Sequence, residues 1–191
     1  WTSPVDTGVV AASTASQITV NMTVDESLSF CAGTSITGQN CGTISGSTVS
    51  LPSGSASSTS TGTSVMAAAT NAQSGYAISV NGSTLTSGVN TIAALSSQTA
   101  SSTGSAQFGL NLRSNSSPSV GSEPTGTGSG TYNANYGTAN QFRFVTGDTV
   151  ASAAGSTNAN TYTASYIVNV PGNQAAGTYT ATMNYIATAT F

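Results

Sequence analysis

The segment Gly177–Phe191, GTYTATMNYIATATF, places Tyr179, Ala181, Met183, Tyr185, Ala187, Ala189 and Phe191 on odd positions. Its even positions carry threonine, Asn184 and Ile186. Successive side chains of a strand point to opposite faces, so a period of two writes one apolar face and one hydroxyl face. A helix would scatter both kinds around its circumference. Threonine is β-branched and suits a pleated surface that meets water. The pattern therefore predicts a long antiparallel strand that lays one face on a core and shows the other to solvent.

The same period recurs upstream. Gln17–Phe30, QITVNMTVDESLSF, has Ile18, Val20, Met22, Val24, Leu28 and Phe30 on one parity, interrupted only by Glu26. This predicts a long strand with a kink near Asp25 and Glu26. Shorter apolar stretches follow at Val49 and Leu51, in SVMAAAT, at Tyr76, Ile78 and Val80, in VNTIAAL, and at Phe108, Leu110 and Leu112. Two more contain Phe142 with Phe144, and Tyr162 through Val170. Asn81-Gly82 reads as a hairpin turn. The Gly-rich run from Pro118 to Ala139 reads as a long exposed and mobile loop. About eight to ten strands, with turn signals between them and no helical period, predict an all-β fold. It should be an immunoglobulin-like or related two-sheet β-sandwich. The absence of a fixed repeat length argues against a β-solenoid.

Composition narrows the chemistry. Only 4% of the 191 residues are charged, and the formal net charge is −3. The cations are Arg113 and Arg143; the acids are Asp6, Asp25, Glu26, Glu123 and Asp148. No basic patch exists, so nucleic acid is not an expected partner. Without histidine or lysine the chain cannot build a Ser-His-Asp triad, a serine–lysine pair or a histidine-based metal site. Asp25 and Glu26 are neighbours on one predicted strand and point to opposite faces, so they cannot flank one glycosidic bond. The expectation is a non-catalytic protein with no cofactor and no metal, whose arginines pair with Glu123 or Asp148 or reach a neighbouring subunit.

Serine, threonine, asparagine and glycine supply the polarity, a composition common on secreted proteins. Cys31 and Cys41, an even count in such a chain, suggest one disulfide closing a loop of about ten residues, with two free thiols as the alternative. No apolar run is long enough to span a membrane. The chain shows no signal peptide and starts at Trp1, which reads as a processed secreted form. Sequons at Asn21, Asn81 and Asn115 are candidates for glycosylation.

Residues 1–16 stand apart from the predicted domain, residues 17–191. Trp1, Val5, Val9 and Ala11 share one parity, while Pro4 and Asp6 discourage a central strand. An apolar-spaced extension with no place in its own sandwich is a candidate donor strand, buried in a partner by main-chain and side-chain pairing.

The run from Tyr166 to Phe191, YIVNVPGNQAAGTYTATMNYIATATF, resembles the end of archaic chaperone–usher pilins and of the related spore coat protein U-like domains. Those end in a V-P-x-G-x-Y turn and a strand alternating to a terminal aromatic. Val170-Pro171, Ala176-Gly177-Thr178-Tyr179 and Phe191 match that pattern here. Ile18–Cys31 is similar to their first strand, and GYAISV and NQFRFVTGD sit between in plausible order. In that family the partner cysteine lies in a later strand, near where Met66 to Ala69 stand here, whereas this chain has Cys41. The resemblance implies an incomplete immunoglobulin-like sandwich whose groove accepts the N-terminal strand of the next subunit. Tyr179, Met183, Tyr185 and Phe191, with Ile18 and Val20, are then acceptor-groove candidates. The implied partners are identical subunits in a homopolymer and an assembly chaperone, at the cell surface.

Three other readings follow from residues. Tyr132 and Tyr136 could stack on sugar rings in a carbohydrate-binding or adhesin module. The hydroxyls of Thr178, Thr180, Thr182, Thr188 and Thr190 could form an ice-binding row. A surface-layer subunit is a close relative of the filament reading.

Overall fold

Strand pairing accounts for nearly all regular structure in the computed structural model, which describes residues 1–3, 5 and 8–191. Pro4 and Asp6, read above as strand-discouraging, lie outside the described residues. In chain order the strands are β1 (Leu28–Gly33), β2 (Ser35–Thr37), β3 (Asn40–Ser45), β4 (Ser60–Thr70) and β5 (Tyr76–Gly82). Four short ones are β6 (Thr86–Ser87), β7 (Asn90–Thr91), β9 (Asn115–Ser116) and β10 (Ser119–Val120), with β8 (Gln107–Asn111) between the two pairs. The chain continues through β11 (Thr125–Gly126), β12 (Thr131–Tyr132), β13 (Thr149–Ala153), β14 (Thr157–Asn169) and β15 (Met183–Ala189).

Two antiparallel sheets carry the core. One runs β1-β4-β14, with β8 and β11 pairing different stretches of β14. The other has the order β12-β13-β5-β15. Alternation decides which side chains meet between them. Tyr162, Ala164, Tyr166 and Val168 of β14 face Ile78 and Val80 of β5 and Val150 of β13 across one hydrophobic cluster. Phe108 on β8 meets Phe144 edge-on, with ring centres 5.3 Å apart and planes at 61°. The all-β sandwich expected from the sequence is what forms.

Four local expectations are corrected. The strand expected over Gln17–Phe30 begins only at Leu28, and Ile18, Val20, Met22 and Val24 are exposed. Asn81-Gly82 is not a hairpin turn. It lies inside β5 because Asn184 and Met183 of β15 pair with it, and the reversal comes at Gly88, with φ of 58°, between β6 and β7. The strand expected over Gly177–Phe191 is shortened to β15, preceded by an isolated bridge between Thr86 and Thr180. The Gly-rich run is not loose. It contributes β11 to the edge of β14 and β12 to the edge of β13, and it buries Tyr136 completely.

Cys31 and Cys41 form a disulfide across a sequence separation of 10. It ties β1, paired with β4 at Cys31, to β3. Replacing both cysteines by alanine should lower the unfolding free energy by about 3 kcal/mol, the loop-closure entropy of so short a loop. Urea denaturation followed by fluorescence would measure it, and a loss below 1 kcal/mol would show the bond to be dispensable.

Candidate functional site

Two of the sheet edges that lack a neighbour among the described strands face each other across one groove. β15 pairs β5 along Met183–Ala189, and no described strand lies on its other side. β1 covers β4 only from Val65 to Thr70, so the stretch Ser60–Ser64 has β14 on one flank and no strand on the other. Such edges present rows of unpaired N–H and C=O groups. Between them runs a groove of about 1240 Å³. Residues 47–54 form one wall and residues 174–183 the other, over a floor that includes Phe108, Tyr166 and Val168. Among the described residues, no lysine, arginine, aspartate or glutamate lines it.

The walls are shaped by local chemistry. Gly62 carries no Cβ; an atom there would stand 2.6 Å from Val49 Cγ1 and 2.7 Å from Leu51 Cδ2. That vacancy lets the first wall lie flat on β4, where the Ser60 hydroxyl donates to the Pro52 carbonyl at 3.1 Å. Pro171 ends β14, since proline has no N–H for a ladder. The second wall is then held by Gln174 Nε2 donating to the Tyr179 hydroxyl at 2.7 Å and by Tyr179 donating to the Ala175 carbonyl at 2.8 Å. Thr180 and Thr86 exchange two backbone bonds of 3.0 Å, which anchors the wall to the β6 hairpin.

The polar groups within the groove are neutral. The Tyr166 hydroxyl lies 2.8 Å from Ser64 Oγ and 2.6 Å from the Tyr185 hydroxyl. Burial pushes both phenols above their ordinary pKa, and the proximity of Tyr166 adds to the rise at Tyr185. Elsewhere in the core the Tyr76 and Tyr162 hydroxyls meet at 2.7 Å, and burial raises both. The Tyr136 hydroxyl donates to Asp148 Oδ2 at 2.8 Å; burial and that carboxylate raise it together. The groove thus offers apolar surface, neutral hydroxyls and open backbone, a set suited to an uncharged extended peptide.

Tyr179, Met183 and Tyr185 line the groove, as does Val168. Phe191 does not line it and is half exposed. Ile18 and Val20 are not on its wall either; they stand in the exposed leading segment, because no neighbouring strand is there to pair with them. Trp1, Val5 and Val9 are exposed in the same segment, and so is Ala11. Val49, Leu51, Leu85 and Ile92 also line the groove. In the sequence Val49 and Leu51 form a short apolar alternation in a Ser/Thr-rich stretch, Ile92 belongs to VNTIAAL, and Leu85 stands alone among polar residues.

The remaining candidates fall elsewhere. Asn115 is buried, and its carboxamide nitrogen donates to Asn111 Oδ1, Arg113 O and Val120 O, which leaves no room for a glycan. Asn21 is exposed, and Asn81 is half buried on β5. Arg113 pairs with Glu123, and Arg143 with Asp148, each at 2.9 Å. Arg113 also lies over one face of the Tyr132 ring, 5.0 Å from its centre, and Tyr136 is inside the core, where it offers no face to a sugar. The threonine row is broken, since of its five members only Thr188 lies within β15. No helix among the described residues is long and apolar enough to cross a membrane. Comparison with family models, curated proteins and solved structures finds no match.

Raised tyrosine pKa values set a pH dependence. A phenol held protonated in the fold stabilises it fully below the unfolded pKa of about 10, and that contribution falls as pH rises past it. Urea midpoints measured from pH 8 to pH 11.5 should fall steeply above pH 10. Tyr185→Phe should cost about 0.5–1.5 kcal/mol at pH 8 for the lost hydrogen bond and should flatten the alkaline decline.

Proposed function

We propose that this protein is a non-catalytic structural subunit of an extracellular filament, assembled by filling the groove of one copy with the leading segment of another. The observation that carries this reading is the coexistence of two complementary defects in one chain. The sandwich has an open, uncharged, apolar groove between two unpaired edges. The leading segment carries Val9, Val10, Ile18, Val20, Met22 and Val24 exposed to solvent, and none of them lies in a strand.

The energetics favour mutual filling. Burying one exposed aliphatic side chain contributes about 1.5–3 kcal/mol, so four of them contribute about 6–12 kcal/mol before ordering costs. Main-chain hydrogen bonds to the free edge of β15 would add register and direction. Charge poverty supports the same reading, because identical subunits stacked end to end repel little when the net charge is only −3. The disulfide fits the oxidising conditions outside the cytosol. The resemblance to chaperone–usher pilins leads to the same arrangement, and an assembly chaperone would serve to occupy the groove before a second copy does.

Negative-stain electron microscopy of the full chain should show fibres of constant width. Ala181→Arg places a charge on the groove wall, outside any strand, and should leave circular dichroism unchanged while reducing fibres to monomers in gel filtration. Fibres of unchanged length from this variant would sink the reading.

A further inference from the structure

We infer that the occupant of the groove is the stretch Gln17–Val24 of a second copy, and that Asn71 aims this stretch away from the groove of its own chain. The inference rests on the filament reading and assigns its donor.

The alternation is stricter here than in residues 1–16. Ile18, Val20, Met22 and Val24 occupy consecutive even positions, while Gln17, Thr19, Asn21 and Thr23 occupy the odd ones. Trp1, Val5 and Val9 are spaced by four, which in a strand leaves gaps on the apolar face. Ile18–Val24 has the same length as β15, seven residues, and would span about 23 Å at 3.3 Å per residue. No charge lies between Gly8 and Val24, which matches a groove lined without charge. With the even positions buried, the sequon residue Asn21 faces outward, so a glycan there is compatible with donation.

Orientation follows from the clamp. Asn71 Nδ2 donates to the Asp25 carbonyl at 2.7 Å, and its Oδ1 accepts from the Ser27 N–H at 2.8 Å. The Ser27 carbonyl accepts from the Asn71 N–H at 3.2 Å and from the Thr70 hydroxyl at 2.8 Å. These bonds carry the β1–β4 register one residue past Leu28 and Thr70. To fill its own groove the stretch would have to double back beside β1, with Asp25, Glu26 and Ser27 supplying the turn. The clamp commits their backbone to β4 instead, so the donor leaves at the end of β1 remote from Gly33 and the first groove wall.

The test uses the full chain, carrying the photo-crosslinker benzoylphenylalanine at Val20 or, separately, at Val5, and assembled from an equal mixture of 14N and 15N protein. Irradiation at position 20 should give adducts to groove peptides containing Tyr179–Tyr185, with mixed-isotope pairs making up half of them. Asn71→Ala, at an exposed site, should keep the fold by circular dichroism and lower the mixed-isotope yield at least threefold. Groove adducts from position 5 and none from position 20, in intact fibres, would overturn the donor assignment and leave the filament reading standing. Single-isotope adducts from position 20 would overturn donation between copies, and an unchanged yield in Asn71→Ala would overturn the clamp. Fibres absent altogether, with position 20 linked to nothing, would overturn the filament reading itself.

Discussion

A strand edge without a neighbour is the constraint around which this molecule is arranged. Backbone N–H and C=O groups in an apolar setting must find partners, and an open edge beside a greasy groove is the place where they have not. β15 and the Ser60–Ser64 stretch of β4 flank such a groove. Everything around it is tied down. Gln174 and Tyr179 brace one wall, Gly62 makes room for the other, and the Tyr166–Tyr185 hydroxyl pair sets the floor. These contacts hold both walls of the groove in place.

The rest of the fold shows how a chain with very little charge satisfies its interior. Asn111 and Asn115 exchange side-chain hydrogen bonds at 2.7 and 2.9 Å, and Asn111 also donates to the Gln141 carbonyl. Asn169 donates to Gln107 Oε1 at 2.8 Å and to the Ser101 hydroxyl at 3.0 Å. Among the described residues no buried side-chain nitrogen or oxygen lacks a partner. Carboxamides suit this role because each carries both donors and acceptors and brings no charge to desolvate. Each of the two arginines is paired with an acid. Arg143 bonds Asp148 and the Ser96 carbonyl, and Asp148 in turn receives the Tyr136 hydroxyl.

Sheet class and most core positions were legible from residue parity. Phe108, Leu110, Leu112, Tyr162, Tyr166 and Val168 were assigned inward by alternation and are buried. The groove was legible only along the wall that follows β14, where Tyr179, Met183 and Tyr185 share a face. Its opposite wall was not, because Val49 and Leu51 owe their place to an absent side chain at Gly62, on another strand. Asn81-Gly82 misled for a related reason. The dipeptide favours a turn locally, but pairing with β15 offers more backbone bonds than a turn does.

Local alternation by itself determined that the molecule is built of strands and which face of each is apolar, while the bond between Cys31 and Cys41, one of two readings open to the sequence, was decided by the fold. Alternation said nothing about whose sheet a strand belongs to. Gln17–Val24 and Met183–Ala189 carry patterns of equal quality, yet only the second is paired. A period of two states that a segment needs a neighbour and a core. Whether one is supplied depends on strand order, and strand order is set by contacts between residues far apart in sequence, which only the tertiary structure decides.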